Sequence, residues 1–308
     1  MRAAGVRQID SAVELLELAE PRALRVDEIL LDVRTCGVGN WDEFVRTGGW
    51  DVGTRPPMAL GVEASGVVAA VGPSAGGFKP GDRVTTHSAP LREQGSWAEL
   101  LIVPAEHCAV LPPGVPFDVG AALPVPALTA DQVVTDALKV HAGQTVLVNG
   151  AGGVTGGLLV QLAARLGATV IVTASPENAD RIRAMGAAHV LDYRQPGWPE
   201  QARQLANGGV DAAANAARSG AGDAVKAVRD GGRLATITGD PPAAERGITM
   251  LDVQVVPDGA RLAELARLAA QGVLTIASNR PYPLEQAGTA LALARHGAHG
   301  AAVVLIVR

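Results

Sequence analysis

Glycines at positions 150, 153 and 156 stand between an apolar run, Val146-Leu-Val, and the helical pattern Leu158-Leu-Val-Gln-Leu-Ala163. A pyrophosphate needs backbone N–H groups at a helix N-terminus and no Cβ in their way. Gly150 and Gly153 supply the turn and the close approach, and Gly156 lets the helix pack on the strand. The spacing is Gly-x-x-Gly-x-x-Gly, because Thr155 stands where the plainer Gly-x-Gly-x-x-Gly would close. Such a pattern is weak alone and gains weight from the strand before it and the helix after it. Gly150, Ala151, Gly152, Gly153, Val154, Thr155 and Gly156 are therefore expected to hold a dinucleotide. The competing explanation is a tight strand–helix turn with no ligand.

The next strand, over residues 169–173, bears on which dinucleotide. A site for NAD usually ends this strand with an acid on the ribose hydroxyls. Here the chain continues Ala174-Ser-Pro-Glu-Asn178, with no acid at the strand tip. Ser175 and Asn178 can bond a 2′-phosphate, and Arg181 or Arg183 can add charge. NADPH/NADP is the expected cofactor, with NAD as the alternative. Ser175 before Pro-Glu also suits a helix N-cap, and both roles are compatible.

Elements must position these residues. The chain has 308 residues, 48% hydrophobic and 19% charged, enough for two domains with full cores. Aromatics make up 3%, so Ala, Val, Leu and Ile build the core. The net charge of −5 and the lack of a basic tract argue against nucleic acid. No run of about 18 apolar residues is present to span a membrane. Two cysteines, Cys36 and Cys108, cannot assemble a disulfide framework or a cysteine-rich zinc site. A cytoplasmic protein acting on a small molecule is expected. The first hundred residues read as strand and turn, with strands over 28–33 and 66–71. From about residue 118, strands over 145–149, 169–173, 189–191, 210–214 and 233–238 alternate with helices over 153–166, 177–185, 200–206 and 221–228. That alternation predicts a parallel sheet. The tail reads as helices over 260–270 and 284–294 and a strand over 302–307 with no place in that sheet.

With its motifs placed, the chain resembles the medium-chain dehydrogenase/reductase superfamily, most closely the zinc-free quinone oxidoreductase branch. The resemblance rests on Gly61-Val-Glu-Ala-Ser-Gly-Val-Val-Ala-Ala-Val-Gly72, Gly81-Asp-Arg-Val84, Gly95-Ser-Trp-Ala-Glu99, Ala121-Ala-Leu-Pro124, Leu128-Thr-Ala130, the glycine turn, Met185-Gly-Ala187 and Asp192-Tyr-Arg194. It implies an α/β protein: a GroES-like β-rich barrel over 1–120, a doubly wound Rossmann domain over 121–257, and a segment over 258–308 returning to the barrel. It also implies that Thr129 contacts the nicotinamide side, that Asn178 replaces a phosphate-gripping lysine, and that Tyr193 packs by that phosphate. A homodimer is implied too, with the last Rossmann strand, near 252–256, pairing across a two-fold axis.

The zinc-ligand positions of metal-dependent relatives fall on Gly39, Val62 and Val125, none of which can bind zinc. No metal is expected, and Cys36, the His107-Cys108 pair on a strand, and His87 in a loop read as structural. Without a Lewis acid, hydride transfer to a quinone or activated alkene is the natural chemistry. The pocket asparagine and tyrosine of relatives become Gly39 and Phe44, so no proton donor is assigned. Asn40, Trp41, Asp42 and Trp50 are the pocket candidates. Trp41 and Trp50 can stack on a flat acceptor or simply pack, and Asp42 can serve as a loop hydrogen-bonder. Glu63 structures the pocket floor. The same departures, with Ala301 where relatives often carry lysine, motivate an alternative: a cofactor-fold protein with a non-redox role, such as a cyclase or a dinucleotide-responsive binder; a zinc alcohol dehydrogenase is the less favoured third reading.

Overall fold

The computed structural model describes residues 1–279 and 281–308. Two units emerge: Met1–Leu128 with Pro257–Arg308, and Thr129–Val256. The first begins with β1 (Arg2–Val6), β2 (Glu14–Glu17) and the long β3 (Glu28–Val38), followed by a short helix, α1 (Trp41–Arg46). Then come β4 (Met58–Ala59), β5 (Glu63–Val71), β6 (Arg83–His87), β7 (Leu100–Pro104) and β8 (Cys108–Val110). Helices α2 (Phe117–Ala122) and α3 (Pro124–Gln132) close this stretch. β3 is the spine, pairing antiparallel with both β5 and β7. Ile29, Leu31 and Val33 on it are fully buried.

The second unit is a parallel sheet. β9 (Thr145–Asn149) leads through α4 (Val154–Arg165) to β10 (Thr169–Ala174). After α5 (Ala179–Ala184) come β11 (His189–Asp192), α6 (Trp198–Leu205), β12 (Val210–Asn215), α7 (Ala221–Ala227), β13 (Val228–Thr236) and β14 (Thr249–Asp252). Their spatial order is β11-β10-β9-β12-β13-β14. The chain moves from β9 to β10 on one side and later returns to β12 on the other. That reversal is the topological switch point, and ligands of such sheets bind at the carboxyl ends of the strands beside it. β9, β10 and β12 are apolar and almost wholly buried, as central parallel strands must be.

The tail rejoins the first unit through α8 (Gly259–Ala270), β15 (Tyr282–Pro283), α9 (Ala287–His296) and β16 (Val303–Ile306). β16 pairs antiparallel with β3, Val303 opposite Val38, which gives the orphan strand its place.

Four local expectations change. β13 begins at Val228 rather than 233, because the register slips between the Val210–Val228 and Ala212–Arg233 pairs and lets the strand start before Gly231-Gly232. The last strand of the sheet ends at Asp252 instead of running to 256. The side-chain amide of Gln132 takes both backbone groups of Val256, at 3.0 and 2.7 Å, and ties that segment down. The helix read over 177–185 splits into a 3₁₀ turn, Pro176–Asn178, and α5. His107 belongs to a 3₁₀ turn, and only Cys108 enters β8.

Candidate functional site

β9 ends in buried Asn149, and Gly150 turns the chain with φ of +86°, where an L side chain is strained. A Cβ on Gly156 would overlap the Gly150 carbonyl oxygen, so the helix packs on the turn only because Gly156 has none. Gly152 and Gly153 differ. A Cβ on Gly152 would meet only Asn178 Nδ2 at 3.7 Å, and one on Gly153 only Gly150 O at 3.9 Å. Gly153 is the N-cap of α4, and no side chain caps that first turn. The turn is thus closed at its ends and open over its middle, with a twelve-residue helix aimed at the opening. Backbone N–H groups without side-chain partners at such a place suit a pyrophosphate.

Beneath the turn lies a polar network that the motif did not reveal. Thr173 Oγ1 accepts from Gly150 N–H at 3.0 Å and donates to Asn149 Oδ1 at 2.5 Å. Asn149 Nδ2 donates to Asn215 Oδ1 at 2.8 Å. Asn215 Nδ2 reaches Thr236 and Thr238, whose hydroxyls converge on Asp240 Oδ1 at 2.7 and 2.5 Å. Burial raises the pKa of Asp240, but the hydroxyls of Thr238 and Thr236 outweigh it and hold the carboxyl below its ordinary value. The carboxyl ends of β10, β9, β12 and β13 are stitched together in this way. The available signal was that each of these strands closes its apolar run on Asn or Thr.

At the tip of β10, Asn178 Nδ2 donates to Ser175 Oγ at 2.9 Å. Ser175 occupies an N-cap position yet makes no capping bond to the backbone. Arg181 Nη2 donates to Asn178 Oδ1 at 2.9 Å and to Gly152 O at 2.8 Å. Tyr193 is exposed, with the Arg194 guanidinium 5.7 Å from its ring centroid. An acid does stand near this tip: Glu177 lies three residues past the strand and pairs with Arg194 at 2.9 Å. Its own backbone N–H and the Ser175 hydroxyl, then Arg194, lower its pKa. Thr129 is buried on α3.

In the first unit the pocket candidates lie on or beside α1, a helix where a loop was expected. Asn40 is exposed and Trp50 half-buried. The Trp41 indole lies over Gly39, so a side chain on Gly39 would fall within its ring. Asp42 is wholly buried: Oδ2 accepts from Gly39 N–H at 2.8 Å, while Oδ1 has no partner. Burial pushes this carboxyl up to about 8, and the Gly39 N–H only partly opposes the rise. Glu63 accepts from Val125 N–H at 2.9 Å, and burial, with Asp42 adding, pushes it well above its usual range. Burial and these two acids likewise push up the Cys36 thiol.

His87 is the buried last residue of β6, not a loop residue. Its Nδ1–H donates to Val62 O at 3.0 Å, and burial pulls its pKa down to about 4, so the ring is neutral at pH 7. Among the described residues, no group of three or more His, Cys, Asp or Glu side chains is placed to hold a metal ion.

Residues 25–113 match the family model for the alcohol dehydrogenase GroES-like domain, and residues 185–305 match the one for zinc-binding dehydrogenase. The chain belongs to the medium-chain dehydrogenase/reductase superfamily. Within the superfamily it is similar to the human quinone oxidoreductase, 30% identical over 213 residues that cover 65% of this chain and 64% of that protein. Among solved structures, an NAD-dependent alcohol dehydrogenase matches with a TM-score of 0.88 at 28% identity over the whole of both chains. A mycobacterial protein solved with NADPH matches with 0.87 at 27%, again over both whole chains. The chain spans less than two thirds of the length of the curated relatives it matches. The two units thus carry the superfamily's GroES-like and Rossmann-type dinucleotide-binding folds.

Proposed function

We propose that this chain is a metal-independent, NADPH-dependent oxidoreductase that reduces a quinone or an activated alkene such as an enone or enoyl acceptor. The carrying observation is the cradle left open over Gly152 and Gly153 at the start of α4. In this reading the turn from Gly150 to Gly156 holds the pyrophosphate, and Ser175, Asn178 and Tyr193 surround the ribose 2′-phosphate. Thr129 meets the nicotinamide side. Bound reduced nicotinamide would supply the hydride.

An electron-poor acceptor delocalises the charge that arrives with hydride, so no Lewis acid is required and the protein's task is to place the acceptor and exclude water. Trp41 and Trp50 offer flat apolar faces for that, with Asn40 and Asp42 beside them. Asp42 is fully covered, so the completing proton comes from solvent rather than from its carboxyl. The likeness to the human quinone oxidoreductase and to the NADPH-bound mycobacterial protein supports this assignment. A homodimer through the edge strand β14 and a cytoplasmic location belong to it, the latter suited to two buried free cysteines.

The test mixes the full chain with NADPH or NADH and a panel of quinones and enones and follows the reduced-nicotinamide absorbance. Turnover with NADPH is expected. Tight NADPH binding with no turnover on any acceptor would favour a non-redox role. Sedimentation velocity checks the dimer.

A further inference from the structure

At the end of the parallel sheet away from the glycine turn, a cavity of about 290 Å³ is lined by Arg203, Lys226, Asp230, Glu245 and Arg246. It lies where β12 and β13 begin, whereas the turn lies where β9 ends. Arg203 comes from the last turn of α6 and Lys226 from that of α7. Asp230 comes from the start of β13, and Glu245 and Arg246 from the segment before β14.

Two guanidiniums converge there. Arg203 Nη1 donates to Val228 O at 2.8 Å, and Arg246 Nη1 donates to the same oxygen at 2.6 Å. Arg246 Nη2 donates to Val225 O at 2.7 Å. Carbonyls at the end of α7 are satisfied in this way, and both forks are held in place. Arg203 also rests on Gly209, where a Cβ would stand 3.0 Å from Nη1. The charges are unequally matched. Lys226 pairs with Asp223 at 2.6 Å, and Arg246 with Glu245 at 3.0 Å and Asp230 at 3.2 Å. Arg203 is half-buried, and among the described residues no carboxylate lies within ion-pair distance of it. Its Nε and Nη2 make no hydrogen bond to those residues either. Capping α7 therefore occupies one nitrogen of Arg203 and leaves the rest of the fork uncommitted. Like charges gathered on one carbonyl repel unless an anion joins them. A guanidinium fork suits phosphate oxygens, which it holds through parallel charge-assisted hydrogen bonds. The volume is about ten times one water's share of the liquid, so the molecule that carries the anion also has room.

We propose that this cavity binds the phosphate group of a small phosphate monoester between Arg203 and Arg246, as a second ligand site at the opposite end of the sheet from the glycine turn.

The test is calorimetric titration of the full chain, with NADPH present, by glycerol 3-phosphate and by inorganic phosphate at low ionic strength, where a charge-driven site is least screened. The wild type is expected to bind glycerol 3-phosphate with a Kd of about 1 mM or below. Arg203→Met should weaken that binding at least tenfold, and Arg203→Lys should weaken it less. Asp230→Asn removes an acid that competes for Arg246 and should tighten it. NADPH affinity should stay the same in all three, and the Arg203 variants assign the site whether or not the turn takes NADPH. No binding of glycerol 3-phosphate in the millimolar range overturns the proposal. Binding undiminished in Arg203→Met also overturns it, because the ester then sits elsewhere. Inorganic phosphate binding as tightly as the ester overturns it too, since that marks an adventitious ion only. A lower melting temperature of Arg203→Met, with no response of the wild type to the ester, marks a cap of α7 and nothing more. Should Arg203→Met fail to fold, Arg203→Lys and Asp230→Asn still decide.

Discussion

The hydroxyl of Thr173 stands 2.5 Å from Oδ1 of Asn149, and through it two neighbouring parallel strands end in one polar unit. The same hydroxyl receives the N–H of Gly150, the first residue of the glycine turn. Thr173→Val keeps the shape and removes both bonds, leaving a buried amide oxygen and a part-buried N–H unsatisfied. Each such loss costs about 1–3 kcal/mol. The variant should melt lower, and NADPH should raise its melting temperature less than it raises the parent's. Thermal unfolding with and without NADPH checks this. An unchanged NADPH-induced rise would separate the network from the turn.

Asp42 makes folding pH-dependent. Folded, it keeps its proton to about pH 8; its ordinary value is 3.8. Between these values the folded chain binds more protons than the unfolded one, so stability falls as pH rises. The contribution of protonated Asp42 is complete below 3.8 and lost by about 8. Asp42→Asn removes the titration and keeps an acceptor for Gly39 N–H. It should exceed the parent in stability by on the order of a few kcal/mol at pH 8, with the gap closing toward pH 4. Denaturant unfolding at the two pH values decides, and an equal gap at both refutes the assignment.

These two residues mark where the sequence was legible. β9 is visible to the residue because an apolar β-branched run stops at a glycine turn, and both signals are local. α1 was hidden: it is six residues long and buries only Asp42 and Val45, so it carries no apolar stripe. The Asn149–Asn215 bond joins residues 66 apart, and no pattern within either strand announces it. Trp41 read as a residue that could stack on a flat acceptor or pack; that its indole lies over Gly39 is a fact of packing that composition does not announce. Arg181 and Arg183 were two candidate charges, and only their partners separate them: Arg181 bonds Asn178 and Gly152, while Arg183 pairs with Asp180.

Gly39, Val62 and Val125, the positions that the family resemblance sets against the zinc ligands of metal-dependent relatives, give a prediction about metal. Gly39, Val62 and Val125 offer no donor atoms, and Trp41 occupies the space into which a side chain at 39 would grow. Dialysis against a chelator should leave melting temperature and activity unchanged. Gly39→Cys should not create a site. It forces the Trp41 indole to move, which costs about 1–3 kcal/mol. Thermal melts and activity before and after dialysis read the first claim, and elemental analysis with a melt of the variant reads the second; stoichiometric zinc surviving dialysis of the parent would contradict the absence of a site.

Two glycines four residues apart in the turn, Gly152 and Gly156, separate folding from binding. Gly156→Ala sets a methyl against the Gly150 carbonyl oxygen, backbone against side chain with nothing flexible to yield. The turn itself must shift, at a cost of about 1–3 kcal/mol, and both stability and NADPH binding should fall. Gly152→Ala meets Asn178 Nδ2 at 3.7 Å, an ordinary contact. That variant should fold with a near-parental melting temperature, yet its methyl enters the open cradle where backbone and pyrophosphate would approach. Its NADPH affinity should therefore drop at least tenfold by fluorescence titration, a difference of about 1.4 kcal/mol. If Gly152→Ala bound NADPH as tightly as the parent, the opening over Gly152 would not be where the pyrophosphate sits.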